Sequence, residues 1–362
     1  MRLLVLGGTG FVGRAVVDAG RARGDEVTVF NRGRRLPLGN ATALADTTGP
    51  GDAAALGDAA ALAGVTALIG DRTAEGGLAA LQGDAQWDVV VDTWSAAPSV
   101  VRDAAQLLAE RAGRYVYISS RSVYVYPPKP GLAEDGPLVE SSAAAGAEAD
   151  YAQAKRGGEL AALEAFGDRA LLARAGLILG PYEDVGRLPW WLLRIARGGP
   201  VLAPGPADLG LQYIDARDLA DWVLDAADRG LGGAYNLVSP PDATTMGELL
   251  ETCVRVTGSD AELRWTAPEV ILAAGVEPWI DLPIWLPPGE DRDGMHGGDV
   301  SKAMRAGLHR RPIAETVTDT WAWLQSLDGE PPQRPDRPRV GLDPVVEARL
   351  LSDTATAAAQ QP

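Results

Sequence analysis

Residues 1–14 read MRLLVLGGTGFVGR, a short apolar run that is followed by three regularly spaced glycines. The run Leu3–Leu6 predicts a buried strand, and the apolar residues after the glycines predict a helix. Gly7 lets the chain leave the strand sharply, Gly10 lets a pyrophosphate approach the backbone, and Gly13 lets the helix lie close to the strand. Exposed N–H groups at the start of a helix favour an anion. The stretch therefore predicts a dinucleotide site rather than a tight turn without a ligand.

Apolar segments and helical segments alternate through the first half of the chain. Further strands are predicted at residues 26–31, 65–69, 87–92, 114–119 and 170–179. This alternation is typical of an α/β fold with a Rossmann-like, doubly wound parallel sheet. We expect a dinucleotide-binding domain at 1–175, to which the chain returns at about 211–238, and a smaller, mainly substrate-binding lobe at 176–328. Residues 329–362 are expected to form a linker, a short helix and a disordered tail.

Composition narrows the classes of partner and compartment. The 362 residues carry a formal net charge of −16, which disfavours nucleic acid and anionic membranes as partners. Cys253 is the only cysteine, and no leader or apolar span is visible, so a reducing, cytoplasmic location is expected. Neither His296 nor His309 has partners at metal-ligand spacing, so no metal site is expected.

A tyrosine and a lysine stand one helical turn apart in the sequence Tyr151-Ala-Gln-Ala-Lys155. A nearby cation favours phenolate over phenol, which would let the tyrosine act as an acid or a base near neutral pH. Ser119 and Ser120 end the predicted fifth strand. Because ligands bind outside the carboxyl ends of parallel strands, a serine hydroxyl there can hold a substrate oxygen.

The glycine turn, the serine strand end and the Tyr-Lys pair are followed along the chain by three further motifs. The set is GGTGFVG (7–13), YISSRSVY (117–124), Tyr151-x-x-x-Lys155, ARAGLILGP (173–181), QYIDARDLA (212–220) and AYNL (234–237). In this respect the chain resembles the extended short-chain dehydrogenase/reductases, the branch that includes NAD-dependent epimerases and dehydratases. The resemblance implies that Tyr151 is the catalytic acid/base, that Lys155 activates it and grips the nicotinamide ribose, and that Ser120 completes the catalytic set.

The resemblance and the motifs together name the residues expected to contact the cofactor. They are Gly7, Thr9, Gly10, Phe11, Val12, Gly13, Asn31, Arg32, Asp71, Arg72, Thr93, Ser119, Tyr151 and Lys155. The second strand ends in Asn31-Arg32 rather than in an acidic residue that would hold the adenosine 2′-hydroxyl. Arg32, with Arg34 or Arg35 beside it, can pair with a 2′-phosphate, so NADP is favoured and NAD stays open.

Departures from the family pattern bear on the substrate. Dehydratases of the family carry an Asp-Glu pair where this chain has Arg121-Ser122. Sugar-nucleotide epimerases usually place Asn at the position of Leu177 and Arg at the position of Leu211. We therefore expect an oxidoreductase, a carbonyl reductase or alcohol dehydrogenase, that acts on a small or moderately apolar substrate.

Two other functions stay open at this point. One is an NAD-dependent epimerase of a sugar or a sugar nucleotide, and the other is a non-catalytic nucleotide- or RNA-binding member of the fold. Members of the family often dimerise through helices that flank the sheet, so the resemblance implies a homodimer.

Overall fold

The computed structural model describes residues 1–33 and 64–359, with side chains as far as residue 353. Its main feature is a sheet of seven strands, all paired in parallel. The strands are β1 (Arg2–Leu6), β2 (Glu26–Asn31), β3 (Thr66–Ile69), β4 (Trp87–Asp92), β5 (Ala112–Ser120), β6 (Ala170–Ala175) and β11 (Gly233–Leu237). Their order across the sheet is β11-β6-β5-β4-β1-β2-β3. The α/β, doubly wound fold class is confirmed.

Helices cover both faces of this sheet. On one face α1 (Phe11–Ala22) packs against α5 (Ala216–Asp228), and on the other α2 (Pro98–Leu108) packs against α3 (Tyr151–Phe166). Successive side chains of each strand point to opposite faces of the sheet, so each strand contributes residues to the cores on both faces. Leu3 and Val5 of β1 join the core beneath α1, whereas Leu4 and Leu6 join the core beneath α2. Both faces of the strand are buried, which explains its continuous apolar sequence.

A second lobe has a core of its own, formed largely by residues beyond the sheet's sixth strand. Its strands are β7 (Leu177–Leu179), β8 (Pro200–Pro204), β9 (Gly210–Leu211), β10 (Tyr213–Asp215), β12 (Thr244–Thr245) and β13 (Glu262–Thr266). Its helices are α4 (Arg187–Ala196), α6 (Met246–Thr257), α7 (Pro268–Ala273), α8 (Glu290–His296), α10 (Ile313–Gln325) and α11 (Pro344–Ala359). The short helix α9 (Ser301–Arg305) instead packs against β11, and its Ala303 is buried in the core of the main sheet.

Two segments differ from the sequence-based expectation. The predicted strand 170–179 is two strands, because the chain leaves the main sheet at Gly176 and β7 pairs with β10 instead. The predicted short C-terminal helix is longer and reaches Ala359. Leu342 and Leu350 are buried in the core of the second lobe, so apolar contacts fix this part of the chain.

No helix in the described part of the chain combines the length and the apolar composition that crossing a membrane requires.

Candidate active site

A cavity of about 690 Å³ lies at the carboxyl ends of β1, β4, β5 and β6. The predicted site residues that line it are Gly10, Phe11, Val12, Gly13, Thr93, Ser119, Ser120, Tyr151 and Lys155. Residues from both lobes complete its wall, among them Leu177, Arg187 and Trp279. The fold thus brings the glycine turn and the Tyr151-x-x-x-Lys155 helix to one cavity.

The glycine turn is packed so tightly that two of its glycines have no room for a side chain. A Cβ at Gly13 would lie 2.3 Å from the carbonyl oxygen of Gly7, and a Cβ at Gly7 would lie 2.5 Å from Thr93 Oγ1. Gly7 also has a φ of +104°, which other residues rarely adopt. The Thr93 hydroxyl donates a hydrogen bond to the carbonyl oxygen of Leu6, which ties the loop after β4 to the end of β1.

Gly10 is different, because a Cβ there would point into open space, with the Gly7 carbonyl oxygen 4.0 Å away. Gly10 is the N-cap of α1, and it contributes no side chain to the first-turn N–H groups of the helix. A phosphate at this position would meet backbone donors and the positive end of the helix. Residues Gly10–Gly13 therefore fit the pyrophosphate of a dinucleotide.

Asn31 and Arg32 stand at the carboxyl end of β2, where the adenosine ribose of a dinucleotide would lie. The Asn31 side-chain oxygen accepts a hydrogen bond from the backbone N–H of Gly33 at 2.8 Å. Its amide nitrogen is buried and has no hydrogen-bond partner among the described residues. A buried donor without a partner fits a ligand hydroxyl or phosphate. Arg32 is exposed beside it, whereas Arg34 and Arg35 lie outside the described residues.

Asp71 and Arg72 form contacts within the protein that differ from the predicted cofactor contacts. The Asp71 carboxylate accepts hydrogen bonds from the backbone and the hydroxyl of Thr73. The Arg72 guanidinium forms two hydrogen bonds, of 2.7 and 2.8 Å, with the buried carboxylate of Asp92. Arg72 therefore neutralises a buried charge, and its contact with a cofactor stays a prediction.

Tyr151 is the first residue of α3, and a capping box fixes the helix at this end. The Asp150 side chain accepts a hydrogen bond from the backbone N–H of Gln153, and the Gln153 side chain accepts one from the backbone N–H of Asp150. Tyr151 is 37% exposed and lines the cavity, so a ligand in the cavity can contact it. The cap therefore sets the position of the phenol at the cavity wall.

Lys155 follows one turn later and is almost completely buried. Its ammonium group donates hydrogen bonds of 2.7 Å to the carbonyl oxygens of Trp94 and Ile118. Burial lowers the pKa of Lys155 to about 7, an effect that Asp92 partly offsets. The two carbonyl groups hold the amine one helical turn after Tyr151.

Glycines after Lys155 let α3 approach the sheet. A Cβ at Gly158 would lie 2.3 Å from the hydroxyl of Tyr117, and a Cβ at Gly157 would lie 2.4 Å from Pro98. The short approach brings Lys155 within reach of the carbonyl at the end of β5. The pair Gly157-Gly158 thus belongs to the local sequence that builds the site.

The two serines at the end of β5 have different environments. The Ser119 hydroxyl is buried and donates a hydrogen bond of 2.8 Å to Glu159, and its contact with a cofactor stays a prediction. Ser120 Oγ lies 3.1 Å from the hydroxyl of Ser122 and accepts a hydrogen bond from the Ser122 backbone. Ser120 therefore keeps a hydroxyl at the cavity wall.

The C-terminal strap, defined as residues 330–343, contributes to the cavity wall, a role that the sequence did not suggest. Arg334 and Arg337 line the cavity. The Arg337 guanidinium carbon lies 4.4 Å from the centre of the Tyr151 ring. The only sequence signal for this segment is its Arg- and Pro-rich composition, which predicts a linker.

Within the described residues, no group of three or more His, Cys, Asp or Glu side chains could hold a metal ion. Burial lowers the pKa of His296 to about 4, and its Nδ1 accepts a hydrogen bond from the backbone of Gln212. His296 is thus a neutral residue within the fold at neutral pH.

The substitution Gly10→Ala tests the fit of a dinucleotide to the glycine turn. We expect the affinity for NAD⁺ and NADP⁺ to fall at least about tenfold, because the added methyl group occupies the space of the pyrophosphate. The stability should change by less than about 1 kcal/mol, since the methyl group meets open space in the protein. Calorimetric titration and thermal unfolding measure the two effects.

Gly329→Ala is the matched control, because a Cβ at Gly329 also meets open space. Equal dinucleotide affinities of the Gly10→Ala variant and the unmodified protein would contradict this assignment of the turn.

Comparison with known proteins agrees with the geometry. The model of the NAD dependent epimerase/dehydratase family matches residues 3–237. No curated protein matches the chain.

Solved structures show the same fold at low sequence identity. UDP-glucuronic acid 4-epimerase from Bacillus cereus, in complex with NAD, is 14% identical with a TM-score of 0.61, and the match covers 91% of this chain and 100% of that one. WbmH from Bordetella bronchiseptica, in complex with NAD⁺, is 19% identical with a TM-score of 0.62, covering 90% and 98%. UDP-N-acetylglucosamine 4-epimerase from Bacillus cereus is 14% identical with a TM-score of 0.59, covering 90% and 99%. With the family match over most of its length, this chain belongs to the NAD dependent epimerase/dehydratase family.

Proposed function

We propose that this protein is a nicotinamide-dependent enzyme that acts on a secondary alcohol or the corresponding ketone, and that its overall reaction is an epimerisation. The observation that carries the proposal is that Gly10–Gly13, Ser120, Tyr151 and Lys155 all line the same cavity. The glycine turn lies there beside a phenol, a hydroxyl and an amine, at the edge of the sheet where ligands of this fold bind, which supports the proposal.

Each catalytic side chain has a distinct task in this proposal. Ser120 hydrogen-bonds the substrate oxygen and fixes the reacting carbon relative to the cofactor. Tyr151 takes the proton from the alcohol, or returns it to the ketone oxygen, at its own phenolic oxygen. Lys155, held by two carbonyl groups, supplies positive charge that favours the phenolate. A nicotinamide, when bound, accepts and donates the hydride.

Two groups of residues would hold the cofactor, one at its pyrophosphate and the other at its adenosine ribose. Gly10–Gly13 would hold the pyrophosphate, and Asn31 and Arg32 would meet the adenosine ribose. The absence of an acidic residue at the end of β2 supports NADP, while the NAD-bound structures of similar fold support NAD. The buried Asn31 amide fits either the 2′-hydroxyl of NAD or the 2′-phosphate of NADP.

Two lines of support bear on the overall reaction. Membership of the epimerase/dehydratase family supports epimerisation, in which hydride leaves and returns to one carbon. Net oxidoreduction of a less polar substrate is the second candidate. It is supported by Leu177 and Leu211, which are apolar and buried where sugar-nucleotide epimerases usually have polar anchors.

Cofactor retention and cofactor turnover distinguish the two reactions. We expect dialysed protein to keep about one dinucleotide per chain, measured by mass spectrometry after denaturation. We also expect it to interconvert the C4 epimers of UDP-glucuronic acid or UDP-N-acetylglucosamine without a net change in absorbance at about 340 nm. Loss of the dinucleotide on dialysis, together with substrate-dependent consumption of added NADPH, would overturn epimerisation in favour of net reduction.

A further inference from the structure

Three arginines line one side of the active-site cavity, and we call them the arginine cluster: Arg187, Arg334 and Arg337. They come from two distant parts of the chain, the start of α4 and the C-terminal strap. The carboxylates that line the same cavity are Asp150 and Asp184. A cationic wall is notable in a protein with a net charge of −16, because the surface as a whole repels anions.

The strap is held in place by contacts that do not depend on a ligand. Arg334 pairs with Asp336 at 2.6 Å, and its backbone N–H donates a hydrogen bond to the carbonyl oxygen of Asp184. Further along, the backbone N–H of Gly341 donates a hydrogen bond to the carbonyl oxygen of Ile280. The strap therefore presents the side chain of Arg337 to the cavity from a fixed backbone.

The other two members of the cluster, Arg187 and Arg337, differ from Arg334 in their contacts. Neither Arg187 nor Arg337 forms an ion pair with a carboxylate of the described residues. Arg337 instead lies over the ring of Tyr151, and the Arg187 guanidinium carbon lies 5.3 Å from the centre of a Trp279 ring. Nε of Arg187 is buried and has no hydrogen-bond partner in the described part of the chain.

Glu183 is the acidic residue beside Arg187, but its carboxylate accepts hydrogen bonds from the backbone N–H groups of Arg187 and Leu188. Burial raises the pKa of Glu183 to about 7, and both of its carboxylate oxygens are already engaged by the backbone. Arg187 is half-buried at the cavity wall, and a guanidinium without an ion-pair partner at such a place favours the binding of an anion.

We propose that Arg187 and Arg337 bind an anionic group of the substrate, a carboxylate or a phosphate, next to Tyr151. This inference rests on the proposed function, which makes Tyr151 the residue that meets the reacting alcohol. Arginine presents donors in a planar fork that matches either anion. The site also offers an anion anchor in a chain that has Leu177 and Leu211 where its relatives usually place polar ones.

A fourth arginine of the cavity, Arg121, does not belong to this site. Its terminal nitrogens donate hydrogen bonds to the side chain of Gln212 and to the carbonyl oxygens of Gly294 and Met295. Arg121 therefore joins two parts of the fold, whereas the donors of Arg187 and Arg337 stay available for a ligand.

The test uses the full-length protein saturated with NAD⁺ and two simple probes, inorganic phosphate and acetate, titrated calorimetrically at constant ionic strength. We expect Arg337→Gln and Arg187→Gln each to weaken binding of the preferred anion about tenfold, because each removes a charge-assisted contact. Arg339→Gln is the matched control from the same strap, with a side chain that is 81% exposed, and we expect less than a twofold change. The probe that binds more tightly identifies the anion as phosphate or carboxylate.

Three outcomes would overturn the proposal. They are the absence of binding of both probes, equal binding by the Arg337→Gln variant and the unmodified protein, and a loss of NAD⁺ affinity in Arg337→Gln as large as the loss for the anion. The last result would assign the arginines to the cofactor. Arg337 lies on the strap surface, so its variant keeps the test valid if Arg187→Gln fails to fold.

The anion measurement requires bound NAD⁺ but no turnover, so it does not depend on the catalytic part of the proposed function. Binding of phosphate through Arg337 in a protein without Tyr151-dependent turnover would refute the proposed function and leave the anion site standing.

Discussion

Replacing Tyr151 with phenylalanine is expected to lower kcat by about 10²–10⁴-fold, the range that a positioned general acid or base contributes. The substitution removes one oxygen atom, and with it the group that exchanges a proton with the substrate hydroxyl. The capping box of Asp150 and Gln153 uses the backbone and neighbouring side chains, so α3 keeps its start. NAD⁺ affinity should therefore change by less than about threefold, a difference of about 0.6 kcal/mol.

The measurement pairs steady-state kinetics with calorimetric titration of NAD⁺. Tyr235→Phe makes the same chemical change at a residue of β11 whose ring packs against Trp222, and its kcat should stay within twofold of the unmodified value. Full turnover by the Tyr151→Phe variant would exclude the phenol as the acid/base. A parallel loss of NAD⁺ binding would instead indicate that Tyr151 mainly holds the cofactor.

The parts of the site that could be predicted from the sequence are those set by short stretches of chain. The glycine spacing specifies a strand, a turn and a helix within residues 1–14, and the structure contains that turn. The spacing of Tyr151 and Lys155 needs only a helix, and a capping box starts the helix at Tyr151 itself. Local chemistry of this kind depends on backbone geometry, which neighbouring residues largely decide.

The other features of the site depend on contacts between residues that are far apart in the sequence, and these could not be predicted. Ser119 pairs with Glu159, 40 positions later, and no local pattern distinguishes it from Ser120. Arg334 reaches the hydroxyl of Ser95, 239 positions earlier, through a strap with the composition of a linker. Such contacts depend on how the two lobes fold together, so periodicity and spacing carry no signal for them.

The pairing of Arg72 with Asp92, 20 positions later, is another contact that the sequence does not predict, and its removal is expected to lower the stability of the protein strongly. We expect Arg72→Met to lower the free energy of unfolding by about 3–5 kcal/mol, because it leaves the buried carboxylate of Asp92 without its counter-charge. The hydroxyl of Tyr115 and the backbone N–H of Trp94 also donate hydrogen bonds to Asp92, but both are neutral. Arg2→Met is the control, because Arg2 pairs with Asp88 at the surface, and we expect an effect of less than about 1 kcal/mol.

The pH dependence of this effect has a definite sign. Burial by itself would raise the pKa of Asp92, but the charge and hydrogen bonds of Arg72 outweigh burial and hold that pKa below its usual value. The pair therefore stabilises the fold above the unfolded-state pKa of about 3.9, and this contribution is lost as the pH falls through the lower folded-state value. In Arg72→Met, burial raises the pKa of Asp92, so protonation relieves the defect as the solution is acidified. The difference in unfolding free energy between the two proteins, measured by urea denaturation, should be largest near pH 7 and shrink towards pH 4. A difference that stays constant over that range would show that Arg72 stabilises the protein by packing rather than by charge.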